Sequence, residues 1–189
     1  MRLILTAAVA AVVGFGSGWY GINYAIPYVV TDTLFSTFRE RGAQENRLSP
    51  TNIRTAKTAR VVRDNADTIT RSSIIDLSDG PLIFEAEVPT SAEYWSVSLF
   101  AHNTDTFFVA NDQDIRKQPY RLAIRTAGQT VPAGVADAEA VSPTRFAFLL
   151  IRSTMRDRND KASVDTLLAE TRLASLRPLS AFAKPPPAS

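Results

Sequence analysis

The sequence predicts a mainly β domain with flanking helices, an α+β arrangement, and three observations carry that prediction. Beyond Arg60 the apolar residues take a period of two: Leu82, Phe84, Ala86 and Val88 alternate with Ile83, Glu85 and Glu87, and Trp95, Val97 and Leu99 with Tyr94, Ser96 and Ser98. Turn formers, Asp79-Gly80-Pro81 and Pro89-Thr90-Ser91, stand between these runs. The run Phe146-Ala147-Phe148-Leu149-Leu150-Ile151 is apolar on both faces, as a central strand in a two-layer structure should be. With 189 residues, 45% of them hydrophobic, the chain can bury one ordinary domain core.

In chain order the first element is apolar. No charged side chain lies between Leu3 and Thr31, a length sufficient for a bilayer, which takes about 20 residues. Ala8-Val9-Ala10 comes too early for a signal-peptidase site, which favours an uncleaved transmembrane anchor over a cleaved signal segment at residues 1–28. Trp19, Tyr20, Tyr24 and Tyr28 crowd its far end, where amphipathic rings prefer the membrane interface, and Pro27 is expected to end or kink it. Gly14 and Gly18 have the spacing of close helix approach, although glycine is also ordinary membrane-helix filler. A juxtamembrane helix is expected within 29–48, with Leu34, Phe35 and Phe38 on one face and Gly42 as its stop. Ser49-Pro50 predicts the start of a short polar helix over Thr51 to Arg60.

The domain proper is expected over 49–178. Strands are predicted at Leu82–Val88, around Tyr94–Leu99, at Thr106–Ala110, at Tyr120–Arg125 and at Phe146–Ile151, with Val131 to Pro143 read as a loop. Asn159 or Asp160 caps a final helix that faces Val164, Leu167, Leu168 and Thr171 inwards. Residues 179–189, with Lys184-Pro185-Pro186-Pro187, read as a disordered Pro-rich tail.

Composition removes several chemistries. There is no cysteine, hence no disulfide, thiol nucleophile or cysteine metal site, and a single histidine rules out a multi-histidine metal centre. Twenty-one basic residues are interspersed with nineteen acidic ones, which leaves no electrostatic footprint for nucleic acid. Asn65, Asp67 and Thr68 could set an amide, a carboxylate and a hydroxyl around a small polar ligand; the same residues also satisfy their own backbone in Asx-type turns. Asp76 and Asp79 are close enough to share a cation, but turn capping explains them better, because no EF-hand ligand set surrounds them. His102 is the sole conventional general base near neutral pH. Ser96 or Ser98 could complete a triad with it, yet no Gly-x-Ser-x-Gly elbow is present.

The segments Asp64-Asn65-Ala66-Asp67-Thr68, Ile75-Asp76-Leu77-Ser78-Asp79-Gly80-Pro81, Tyr94-Trp95-Ser96-Val97-Ser98-Leu99, Asn103-Thr104-Asp105-Thr106-Phe107 and Arg145-Phe146-Ala147-Phe148-Leu149-Leu150-Ile151-Arg152 together resemble the domain-of-unknown-function family numbered 1254, over roughly residues 50–178. The resemblance implies an antiparallel β-sandwich of jelly-roll-like architecture. Longer members resemble a fusion to a companion domain numbered 1214, and short members with an apolar N-terminus look like the separated first half. A companion protein, or a homo-oligomer, is the implied partner. Ala66 and Ile69 stand where the family pattern has proline and tyrosine, and Ser98 and Ala101 lie where it has polar residues, which weakens an enzymatic role.

These readings converge on a single-pass protein of the inner membrane with an extracytoplasmic domain, acting as a structural or binding module beside a companion chain. The alternative is a hydrolase-like enzyme on a small polar or envelope-derived substrate. Asn65, Asp67, Thr68 and His102 are the candidate ligand-binding residues, with no catalytic residue assigned and neither cofactor nor metal expected.

Overall fold

The computed structural model describes residues 2–53 and 65–182. It contains one long helix, two packed sheets and a shorter helix. The first sheet has the order β1 (Asn52–Ile53), β2 (Thr68–Asp76), β8 (Phe146–Met155), β4 (Ala92–Ala101), β5 (Thr106–Asn111), antiparallel throughout. The second has the order β7 (Ala138–Ser142), β6 (Tyr120–Thr126), β3 (Leu82–Ala86), β9 (Ser175–Pro178). Its β6–β7 pair is parallel and the others antiparallel. The predicted mainly β, α+β class therefore holds.

The period-two pattern sets which face each strand buries. Ile75, Trp95, Val97, Leu99, Ala147, Leu149 and Ile151 of the first sheet meet Leu82, Phe84, Leu122, Ile124 and Leu176 of the second in one core. Phe146–Ile151 is central as predicted, within a strand that runs on to Met155 and pairs with β2 on one side and β4 on the other. The outer face of the second sheet carries Glu85, Arg121, Arg125, Glu139 and Arg177, which pair with one another and stay solvated.

The helix α2 (Lys161–Arg172) closes one end of the sandwich. Asp160 is its N-cap, accepting from the amides of Ala162 and Ser163. Val164 and Leu167 pack on Ile69 and Met155, and Thr171 Oγ1 lies 3.2 Å from Ser153 Oγ in the interior. The Arg71 guanidinium, on the inward face of β2, donates to the carbonyls of Ser49, Thr171, Arg172 and Ala174 at 2.9–3.2 Å. It thereby satisfies the C-terminal carbonyls of α2 that no helical partner reaches.

Several expectations change. Residues 2–40 form one continuous helix, α1 (Arg2–Glu40), about 58 Å long at 1.5 Å per residue. Pro27 neither ends it nor separates an anchor from a juxtamembrane helix. Proline removes one amide donor, but the next two turns bury Thr31 and Phe35 against the first sheet, and that packing favours helix beyond the break. Among the described residues no helix is long and apolar enough to cross a membrane, so the predicted spanning anchor is not supported. Asn52–Ile53 is a strand rather than the start of a helix, and the rest of that predicted helix, with Asp64, lies outside the described residues. The segment read as a loop contains β7. At the carboxyl end, Leu179–Ala181 form a 3-10 turn and the Arg177 guanidinium stacks 4.4 Å from the Phe182 ring, so order extends past 178; 183–189 lie outside the described residues.

Candidate functional site

The four candidate residues fall in two places. Asn65 Oδ1 accepts the Asp67 amide at 3.0 Å, an Asx turn, and Thr68 is buried at the first position of β2. Thr68 pairs with Thr154 of β8, whereas His102 follows Ala101, which pairs with Ala147. Seven strand steps separate Ala147 from Thr154, about 23 Å at 3.3 Å per residue. Asn65, Asp67 and Thr68 thus stand at one end of the first sheet and His102 at the other.

His102 sits where α1 docks on the sheet. Its backbone amide donates to Thr144 Oγ1 at 2.9 Å, which fixes the loop after β4. The imidazole lies 5.8 Å from the Phe35 ring and stacked on it at 10°, with Tyr28 edge-on at 5.2 Å and Phe146 edge-on at 6.0 Å. Nε2 is 2.7 Å from Asp32 Oδ1, within hydrogen-bond distance. Tyr28, Asp32 and Phe35 lie on one helical face at spacings of four and three. The sequence reading missed Asp32 because it is 70 positions from His102; that facial spacing was the signal that could have found it. Among the described residues no hydroxyl is bonded to the ring, so a histidine–carboxylate pair is present without a nucleophile beside it. Its visible work is to fasten α1: Phe35 is 1% exposed, and Phe38 adds a contact to Phe148 at 5.5 Å.

The Asp76–Pro81 stretch is explained by structure. Arg145 Nε and one terminal nitrogen each donate to the Asp76 carboxylate at 3.0 Å, a fork-to-fork pair that joins the end of β2 to the start of β8. The Ser78 amide caps the same carboxylate, Asn46 bonds both backbone groups of Asp76, and Gln129 Nε2 donates to the Leu77 carbonyl. The Arg145 hydrogen bonds, with those of Ser78 and against the effect of desolvation, hold the Asp76 carboxyl down to about 2. Gly80 has φ +121°, a backbone shape that side chains rarely adopt, so glycine is required at this turn. Among the described residues no cluster of carboxylate or imidazole groups is arranged to hold a metal ion.

Two clefts remain. One, about 460 Å³, runs between β2 and the segment after α1, with Phe38 and Ile74 in its wall and Arg41 and Arg47 at its rim. The other, about 430 Å³, opens between β5 and β7, the end strands of the two sheets.

The chain is thus a β-sandwich with one end closed by α2 and one outer face clasped by the final turns of α1. Residues 46–175 match the family described as "Protein of unknown function (DUF1254)", and the chain belongs to that family. Among solved structures the chain is similar to the VPA0106 protein from Vibrio parahaemolyticus, at 16% identity and a TM-score of 0.68, covering 90% of this chain and 40% of that one. It is also similar to a putative uncharacterized protein from Burkholderia cenocepacia, at 16% identity and a TM-score of 0.50, covering 90% of this chain and 44% of that one. The chain therefore spans less than half the length of either relative, and the likeness is one of fold. No curated protein matches the sequence significantly.

Proposed function

We propose that the protein is a binding module of the cell envelope, attached to the inner membrane through α1 with its domain on the extracytoplasmic side, and working with a companion chain of the family numbered 1214. The observation that carries this reading is the outward surface of α1. Val12, Phe15, Trp19, Tyr20, Ile22, Tyr24 and Ile26 are each more than half exposed, while Phe35 below them is fully packed. Apolar side chains on that scale need a cover, either lipid or protein. The aromatic residues among them suit a membrane interface. Both solved relatives carry more than half of their length beyond the part matched here, which supports a companion that supplies the equivalent mass.

Affinity capture from native membranes, with α1 intact, tests location and partnership together. The protein is expected in the membrane fraction with a companion chain in fixed proportion. Recovery as a monomer from the soluble fraction, with no companion at any salt concentration, would overturn the proposal.

A further inference from the structure

The cleft between β5 and β7 holds an unexplained polar atom. Tyr120 is 7% exposed and belongs to the core, yet its phenolic oxygen has no hydrogen-bond partner among the described residues. A hydroxyl on a residue this buried, lining a cleft and unclaimed by any described residue, is free to bond a group that enters the cleft. Burial first, then the carboxylates of Asp137 and Asp114, push the phenol up to about 12, so it stands as a neutral hydroxyl able to donate.

The rest of the lining limits what could meet that hydroxyl. Phe108 and Ile115 give an apolar wall, both half-buried. Asp137 is already committed, to Lys117 Nζ at 3.0 Å and to the Arg121 amide at 2.9 Å. Two charges remain without an ion-pair partner among the described residues: Asp114, whose carboxylate receives only the Asn111 amide, and Arg116. An anion alone would leave Asp114 repelled, and a cation alone would do the same to Arg116. A ligand with one charge of each sign satisfies both, and an apolar body covers the wall. At about 430 Å³ the space is within the range of small-molecule sites.

We propose that this cleft binds a small zwitterion with an apolar side chain, of the α-amino-acid kind, with its ammonium towards Asp114, its carboxylate towards Arg116 and its side chain on Phe108 and Ile115. Tyr120 contributes the hydroxyl that fixes orientation. No residue of α1 lines the cleft, so this inference does not rest on attachment through α1.

Titration calorimetry of the full chain in detergent, with L-phenylalanine and L-leucine as probes, tests it. Saturable binding of at least one probe is expected, with its deaminated and decarboxylated analogues roughly tenfold weaker or worse, because each leaves one rim charge unpaired. Tyr120→Phe is expected to weaken binding roughly fivefold while leaving the unfolding midpoint unchanged or higher, since the hydroxyl it removes has no internal partner. Arg116→Gln should weaken it comparably. Absence of saturable binding by both probes would overturn the proposal. So would analogues that bind as tightly as the amino acids, or affinity unmoved by both variants.

Discussion

Asp76 illustrates how a residue that looks like a ligand can be spent on the fold. Its carboxylate is occupied by Arg145 and Ser78, and its backbone by Asn46. Its side chain is 16% exposed, while that of Arg145 is 60% exposed, so solvent screens the pair and its worth is on the order of 1 kcal/mol. The folded pKa lies below the ordinary carboxylate value. The contribution is therefore fully present above about pH 4 and disappears as pH falls through about 2. Asp76→Asn should lower stability by about 1 kcal/mol at pH 7 in urea unfolding, with the difference from wild type closing towards pH 2. A gap that is as wide at pH 2 as at pH 7 would show that the carboxylate's charge contributes nothing.

At the scale of elements, the two helices are held by different means. For α2 polar bonds add to the apolar contact of Val164 and Leu167: Arg71 reaches four carbonyls, and Glu170 receives Thr90 and the Ser91 amide across the turn before β4. Arg71→Met should cost about 1–2 kcal/mol, because partly buried carbonyls lose a charged donor, and amide exchange should accelerate in the last turn of α2 first. Arg71→Lys should recover only part, since an ammonium cannot fork among carbonyls. For α1 the fastening is aromatic. His102→Ala removes a stacked ring and the Asp32 contact, and is expected to speed tryptic cleavage after Arg39 and Arg41, whereas His102→Phe keeps the stack and should restore most of the protection. Equal cleavage rates in both variants would mean that the ring does not hold the helix.

What could be read from the residues follows from the range of the forces involved. Phe146–Ile151, alternating Leu82–Ala86 and the Asp160 cap were legible because their signals are local. By contrast β7, Ala-Glu-Ala-Val-Ser, has small side chains and a weak pattern; its pairing with β6 gives it a place. Helix continuation past Pro27 depends on Phe35 finding Phe146, Phe148 and His102, contacts more than sixty positions away. The same distance hid Asp32 from His102, while the Asx turn, one of the two readings open for Asn65 and Asp67, was visible because that bond spans two residues.

For the whole molecule, the distribution of surfaces says where an attachment can form. The second sheet turns outwards a lattice of paired charges, which costs desolvation to cover. The upper part of α1 offers the opposite: Trp19, Ile22, Ile26 and Val29 form one stripe, each more than half exposed. If lipid or a companion covers that stripe, charge placed in it should cut attachment without touching the domain. The double variant Ile22→Glu with Ile26→Glu is therefore expected to move the protein out of the membrane fraction and to lower companion recovery by about tenfold or more, since carboxylates would be forced into an apolar contact. Its unfolding midpoint should stay at the wild-type value, because neither side chain packs on the sandwich core. Glu139→Lys, on the outer face of the second sheet, is the control and should alter neither readout. A double variant that stays in the membrane fraction with its companion intact would assign attachment to some other surface.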